Sequence, residues 1–151
     1  MNLEKNEEII GVIHALQTDV IANIFINKKD IFVKYTPHVP TKKSKNKLKE
    51  GMVLFIYESR NLKEIVGKAV IQKIEYLIQK DIIKKYYLRL MISPEKLQEY
   101  AGNRRKEKPA LVLTLNNITK YKKPIKLDFP ITMGGLYVTS NNRREILGDA
   151  Q

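Results

Sequence analysis

The 151-residue chain contains no cysteine and no tryptophan, and only two histidines, His14 and His38. Without cysteine there is no disulfide scaffold, no thiol catalysis, no iron–sulfur cluster and no cysteine-ligated zinc. Two histidines are too few for a multi-histidine metal centre. The longest apolar run, 52–57, is far shorter than the ~20 residues a membrane-spanning helix needs. The N-terminal stretch Met-Asn-Leu-Glu-Lys-Asn-Glu-Glu is too polar and acidic for a signal peptide. The sequence has no Gly-x-Ser-x-Gly elbow, phosphate-binding P-loop, dinucleotide fingerprint or His-Glu-x-x-His. These absences predict a soluble, cytoplasmic protein that needs no cofactor and no metal.

What is abundant is positive charge. Lys and Arg total 28 against 16 Asp and Glu, a net charge of +12, with a pI near 9.8. Such a balance is the electrostatic mark of a nucleic-acid binder, because polyanionic backbones are attracted whatever their sequence. A lysine-rich solvated surface from biased composition is the alternative. The cations are grouped. Lys42, Lys43, Lys45, Lys47 and Lys49 fall within the acid-free segment 37–49; Arg104, Arg105, Lys106 and Lys108 follow Gly102; Lys120, Lys122, Lys123 and Lys126 form a third group, and Arg143 and Arg144 a fourth. Each group reads as turn-like or loop-like.

Length and apolar content (43%) predict one α+β domain over 1–151, with a basic loop at about 37–50 and a C-terminal tail at about 141–151 that is frayed or a short helix. Residues 8–14 are short and rich in β-branched side chains, hence a strand, with Gly11 marking a bulge or a close backbone approach. Thr18 reads as the N-cap of a helix whose apolar face is Val20, Ile21, Ile24 and Phe25. Strands are expected at 31–36, 52–59, 65–77 and 110–115, with a further one near 122–127 and a last one after the paired glycines at 134–135. Residues 81–91 fit helix and strand equally. Ser93-Pro94-Glu95 through Gly102 is the sharpest local signal: a capping serine, proline at the first helical position, an acid for the helix dipole and a glycine stop. Strands outnumber helices without alternating with them, which disfavours a doubly wound parallel sheet. A small curved mixed or antiparallel β-barrel with two or three short flanking helices fits best.

Residues 49–59, Lys-Glu-Gly-Met-Val-Leu-Phe-Ile-Tyr-Glu-Ser, followed by Ile-Val-Gly-Lys-Ala-Val-Ile at 65–71, resemble the PUA-like superfamily, to which ASCH, EVE and YTH domains belong. With Glu8-Ile-Ile-Gly-Val-Ile-His, Ser93-Pro94-Glu95-Lys96-Leu97 and 130–137, the chain most resembles an uncharacterised, mainly archaeal PUA-like family of similar length. The resemblance implies a small β-barrel that binds RNA or a modified base. The Gly-x-Lys-x-x-Glu-x-Arg signature of ASCH domains is absent, so residues proposed for that signature cannot be carried over. A tryptophan cage is impossible, so pocket walls must be Tyr or Phe.

On this reading Lys42, Lys43, Lys45, Lys47, Lys49, Arg60, Arg104, Arg105 and Lys106 are the candidate backbone-gripping residues. Tyr35, Tyr57, Ser59, Thr132, Met133, Gly134 and Tyr137 are the candidate walls of a base pocket, placed between the first helix, the 52–59 strand and the 130–137 turn. Tyrosines at such positions are also ordinary core walls, and a glycine turn is also plain hairpin geometry. His14 reads as a structural or rim residue. RNA or modified nucleic acid is the expected partner, with no membrane involved. Two alternatives stay open. One is a small enzyme acting on a modified nucleoside or base, for which a Lys–Thr–Glu hydrolytic centre of PUA-like amidohydrolases suggests Lys34, Thr36 and Glu58. The other is a protein-interaction module.

Overall fold

The computed structural model describes residues 8–35, 48–60, 62–132 and 135–148. Ten elements follow in chain order: β1 Ile9–Leu16, α1 Thr18–Phe25, β2 Ile31–Lys34, β3 Val53–Glu58, β4 Glu64–Leu77, α2 Gln79–Tyr86, α3 Pro94–Arg105, β5 Ala110–Lys126, β6 Leu136–Thr139 and α4 Arg143–Leu147. The expected α+β class and mixed sheet are present. Six strands pair in the order β2-β5-β4-β3-β1-β6. β1 and β3 run parallel; the remaining pairs are antiparallel. Among the described residues the backbone ladder is open at β2 and β6, and four short helices flank it rather than two or three. The additional ones are α2, from the stretch that sequence left ambiguous, and α4, from the tail.

Three apolar clusters hold these layers together. Val20, Ile21, Ile24 and Phe25 of α1 pack with Val12, Leu54, Ile56, Val66 and Leu113 of the sheet, as the helical spacing predicts. Ile82 and Tyr86 of α2 and Leu97 and Ala101 of α3 cover Ile31, Ala110 and Val112. Ile13, Tyr57, Ile65 and Val138 meet Ile146 and Leu147 of α4. Ser93 caps α3, its hydroxyl accepting from the Lys96 amide at 3.2 Å, and Gly102 interrupts the helix with φ 57°. No helix among the described residues is long and apolar enough to cross a membrane.

Two expectations are corrected. Thr18 is not the cap of α1: Gln17 occupies that place without a side-chain cap bond, because the Thr18 hydroxyl donates to Glu58 instead, at 3.1 Å. The basic groups after Gly102 are also not all in loops. Arg104 and Arg105 end α3, Lys120 to Lys126 belong to β5, and Arg143 and Arg144 open α4. β5 runs for 17 residues because β4 stays paired with it from Leu77–Ala110 to Glu64–Lys126, absorbing three register shifts as bulges.

Gly11 and Gly67 let this sheet bend. Gly11 lies at a register shift against β6, and a Cβ there would sit 2.3 Å from the Val53 carbonyl oxygen of β3. At Gly67 a Cβ would meet the Thr119 carbonyl at 2.5 Å and the Phe25 ring at 2.6 Å. Both contacts are largely with backbone, which cannot swing aside. Gly11→Ala is therefore expected to lose about 1–3 kcal/mol of unfolding free energy, seen as a lower urea midpoint and a melting temperature down by roughly 2–4 °C per kcal/mol at this chain length. Unaltered stability would remove the close approach from the account.

Candidate functional site

A cleft of about 550 Å³ opens where β1 ends and α1 begins. His14, Ala15 and Leu16 of β1, and Gln17, Asp19 and Val20 form one side. Phe32, Val33 and Lys34 of β2 form another. Ser59 and Arg60 come from the β3–β4 turn, and Met91, Ile92, Lys96, Glu99 and Tyr100 from α3 and its approach. β2 and β1 are first and fifth in the sheet, so the sheet curls until these two strands share one cavity.

Side chains join them. The His14 ring stacks on Phe32 with centroids 5.3 Å apart. The Lys34 ammonium donates to His14 Nδ1 at 3.2 Å. The backbone of Gly135, at φ 79°, packs on the same ring: a Cβ there would lie 2.9 Å from Nδ1 and Cε1. His14 is 5% exposed. Burial, reinforced by the Lys34 charge, holds its pKa at about 3. The ring is thus neutral at physiological pH, with Nδ1 as acceptor and the proton on Nε2. Burial also pushes the Lys34 ammonium below the usual lysine range.

The other walls are fixed in the same way. Tyr100 meets Tyr35 edge-on at 5.1 Å, its hydroxyl accepting from the Tyr35 amide at 3.2 Å. The Arg105 guanidinium lies over both rings at 5.7 Å. Burial, and secondarily Tyr100, raises the Tyr35 phenol pKa against the pull of Arg105. Lys96 reaches back to pair with Asp19 across the mouth, and its hydrogen bond holds the Asp19 carboxyl below its ordinary range. Glu58, 4% exposed, accepts from Thr18 Oγ1 at 3.1 Å, the Arg60 amide at 2.9 Å and the Leu62 amide at 2.5 Å. One buried carboxylate thereby pins the turn carrying Arg60 to the start of α1.

Of the residues singled out by sequence, Ser59 and Arg60 line the cleft. Tyr35 and Arg105 stand behind Tyr100. Tyr57 is 2% exposed within the third cluster, so it offers no stacking face, and Tyr137 projects from β6 at 36% exposure. Thr132 is exposed, as are Lys49, Arg104 and Lys106. Lys42, Lys43, Lys45, Lys47, Met133 and Gly134 lie outside the described residues, as do Thr36 and His38. The cleft sits between α1, β2 and α3; the 52–59 segment contributes only the residue that follows its strand, and the described residues of 130–137 supply none of the lining. Sequence reasoning passed over His14, Lys96 and Tyr100 as site residues and gave Lys34 only a hydrolytic role. A signal existed: His14 and Lys34 are lone polar residues in apolar strands, and Lys96, Glu99 and Tyr100 are three and four residues apart on the best-defined helix.

The depressed pKa of His14 has a consequence for stability. Between pH 6.5 and about 3 the unfolded chain binds a proton at this ring that the folded chain refuses. Stability attributable to it is intact above pH 6.5 and falls as pH drops through that window, by up to about 1.4 kcal/mol per unit. His14→Gln is expected to flatten this part of the acid limb in urea titrations at successive pH values, while identical slopes in both proteins would place the ring in water. Glu58→Ala, leaving two amides unpaired, is expected to cost about 1–3 kcal/mol and to speed hydrogen exchange at Leu62.

Residues 9–140 match the family described as a domain of unknown function, DUF365. A curated relative is the "Uncharacterized protein MJECS03" of Methanocaldococcus jannaschii, 30% identical over 105 residues, which cover 64% of this chain and 97% of the relative. Among solved structures the fold is similar to ASCH from Zymomonas mobilis, with 14% identity, TM-score 0.72, and 90% and 92% of the two chains covered. A serine-to-alanine mutant of that protein gives 15% identity, TM-score 0.73, and 91% and 94% covered. At such identities the likeness is one of fold, the PUA-like fold of ASCH domains. On the match across 9–140, the chain belongs to the DUF365 family.

Proposed function

We propose that this protein binds RNA, or nucleic acid carrying a modified base, with one unstacked nucleotide lodged in the cleft. The observation that carries the reading is the composition of the cleft wall: Lys34, Arg60 and the Asp19-paired Lys96 bring cations to a cavity whose partly exposed ring is Tyr100, with the buried Phe32 at its base. Cations suit phosphates and aromatic rings suit bases. The net charge of +12 adds a long-range attraction for a polyanion. The PUA-like fold, widely linked to RNA, supports the same class of partner. Arg105 extends the aromatic wall with a guanidinium plane beside Tyr100.

Fluorescence anisotropy with single-stranded and hairpin RNA tests this. A footprint of about five phosphates on a single strand gives a log–log salt slope near −3.5, hence a loss of about a hundredfold in affinity between ~50 and ~200 mM salt. Tyr100→Ala is expected to weaken binding by about 1–3 kcal/mol, and Arg60→Ala to reduce the salt slope by about one contact. Joint neutralisation of Lys42, Lys43 and Lys45 should lower affinity across all sequences. Absent binding, or binding indifferent to salt and to these substitutions, overturns the reading.

A further inference from the structure

We propose that Lys34 is a carbonyl-reactive amine, and that the cleft presents it to the open-chain aldehyde of a base-free sugar in a nucleic-acid strand. The inference rests on the nucleic-acid reading above and adds to it a reaction and a ligand class. Three features of the cleft support it.

The first is placement. Lys34 lines the cavity, and its Nζ is directed by the His14 Nδ1 acceptor at 3.2 Å. His14 is itself immobilised by Phe32 and by the Gly135 backbone. A flexible lysine is thus converted into an amine with a fixed position, as covalent catalysis requires.

The second is medium. Phe32, Met91 and Ile92 share the cavity lining with Lys34 and make that part of the wall apolar. The same burial that shifts its ammonium downward raises the share of nucleophilic free amine. The neutral imidazole beside it adds no second positive charge.

The third is complementarity. Arg60 at one side of the cleft and Lys96 at another suit the phosphates flanking a nucleotide. A sugar that has lost its base leaves free within the cavity the volume the base would fill, and its ring opens to an aldehyde at the carbon that bore the base.

The step balances without oxidant or reductant. The Lys34 nitrogen forms a C–N bond to the aldehyde carbon, the carbonyl π pair moves to oxygen, and a proton passes from nitrogen to that oxygen. The nitrogen lone pair then expels the hydroxyl, which leaves as water with a second proton from nitrogen. The products are an imine and one water.

The full chain is incubated with a single-stranded oligonucleotide carrying one abasic site, made by excising a uracil, in the presence of cyanoborohydride, which reduces an imine to a stable amine. A covalent adduct in a denaturing gel, mapped by peptide mass to Lys34, is expected. Lys34 should be labelled faster than the exposed lysines, since burial lowers its pKa and raises its free-amine fraction. Lys34→Arg, which keeps the charge, should abolish the mapped adduct, and anisotropy of the unaltered protein with the same oligonucleotide reports strand binding separately. Ribose 5-phosphate runs in parallel: labelling of Lys34 by it but not by the strand overturns the assignment of a strand as ligand. Labelling spread over surface lysines, or undiminished in Lys34→Arg, overturns the proposal. Site mapping on the unaltered protein decides the matter even if the variant does not fold. Strand binding without adduct sinks this inference alone; absence of binding to this strand and to the RNAs above sinks the function proposed there.

Discussion

A side-chain contact completes what the backbone leaves open. β2 and β1 stand first and fifth in a six-stranded sheet whose ladder does not close, yet the Lys34–His14 hydrogen bond and the His14–Phe32 stack bring them together. A backbone seam would fill the space between two strands with amides and carbonyls at about 4.8 Å. A seam of side chains leaves room, and that room is the cleft. The cost is electrostatic: an imidazole is buried beside a lysine, and both lose basicity. Such costs persist where a polar group is needed inside an otherwise apolar wall.

The rest of the architecture serves that seam. β1 can swing toward β2 because Gly11 lets its backbone press on Val53, and because Gly67 lets β4 pass under Thr119 and Phe25. The resulting curvature places the end of β1, the start of α1 and the β3–β4 turn at one corner. Glu58 ties that corner by accepting from the Thr18 hydroxyl and from the Arg60 and Leu62 main-chain amides of the turn. A carboxylate so engaged is a structural anchor, and its preference for Thr18 explains why that residue does not cap its own helix. α3 forms the far wall, set at its N-terminus by Ser93 and braced on the second apolar cluster by Leu97 and Ala101.

Those elements whose signals are local were legible in the sequence. The Ser93-Pro94 start, the Gly102 break, the apolar face of α1 and the close approach at Gly11 all depend on residues within a few positions of one another, and each is where local chemistry places it. The cleft was not legible in the same way. Its defining pair, His14 and Lys34, lies on strands separated by a helix and joined only by the curl of the sheet, so no spacing rule links them. Tyr57 misled for a related reason. A tyrosine near a strand end beside polar neighbours resembles a rim residue, but the parallel pairing of β3 with β1 sets Tyr57 opposite Ala15, and its ring joins the third cluster beneath α4. The outer half of β5 is polar, and its bulged pairing with β4 makes one strand of 110–126 where local signals point to two separate ones.

The cations bear on the cleft through this topology rather than through their sequence grouping. Arg104, Arg105 and Lys106 close α3, the helix that carries Lys96 and Tyr100 into the cavity, and Arg105 already rests on the Tyr100 ring. Lys126, the last residue of β5, is in register with Glu64, at the opposite end of the turn that bears Arg60. Two of the four groups are thus joined through the chain or the sheet to elements that line the cleft, one at the end of a helix and one at the end of a strand. Fields from exposed charges fade within about 8–10 Å at physiological salt, so on the proposed reading cations on the cleft's own elements matter more to the approach of a polyanion than remote ones do. On the proposed reading, attraction of a polyanion falls to such exposed cations, and capture of a single nucleotide falls to the cleft wall of Tyr100, His14 and Lys34, where chemical identity is tested.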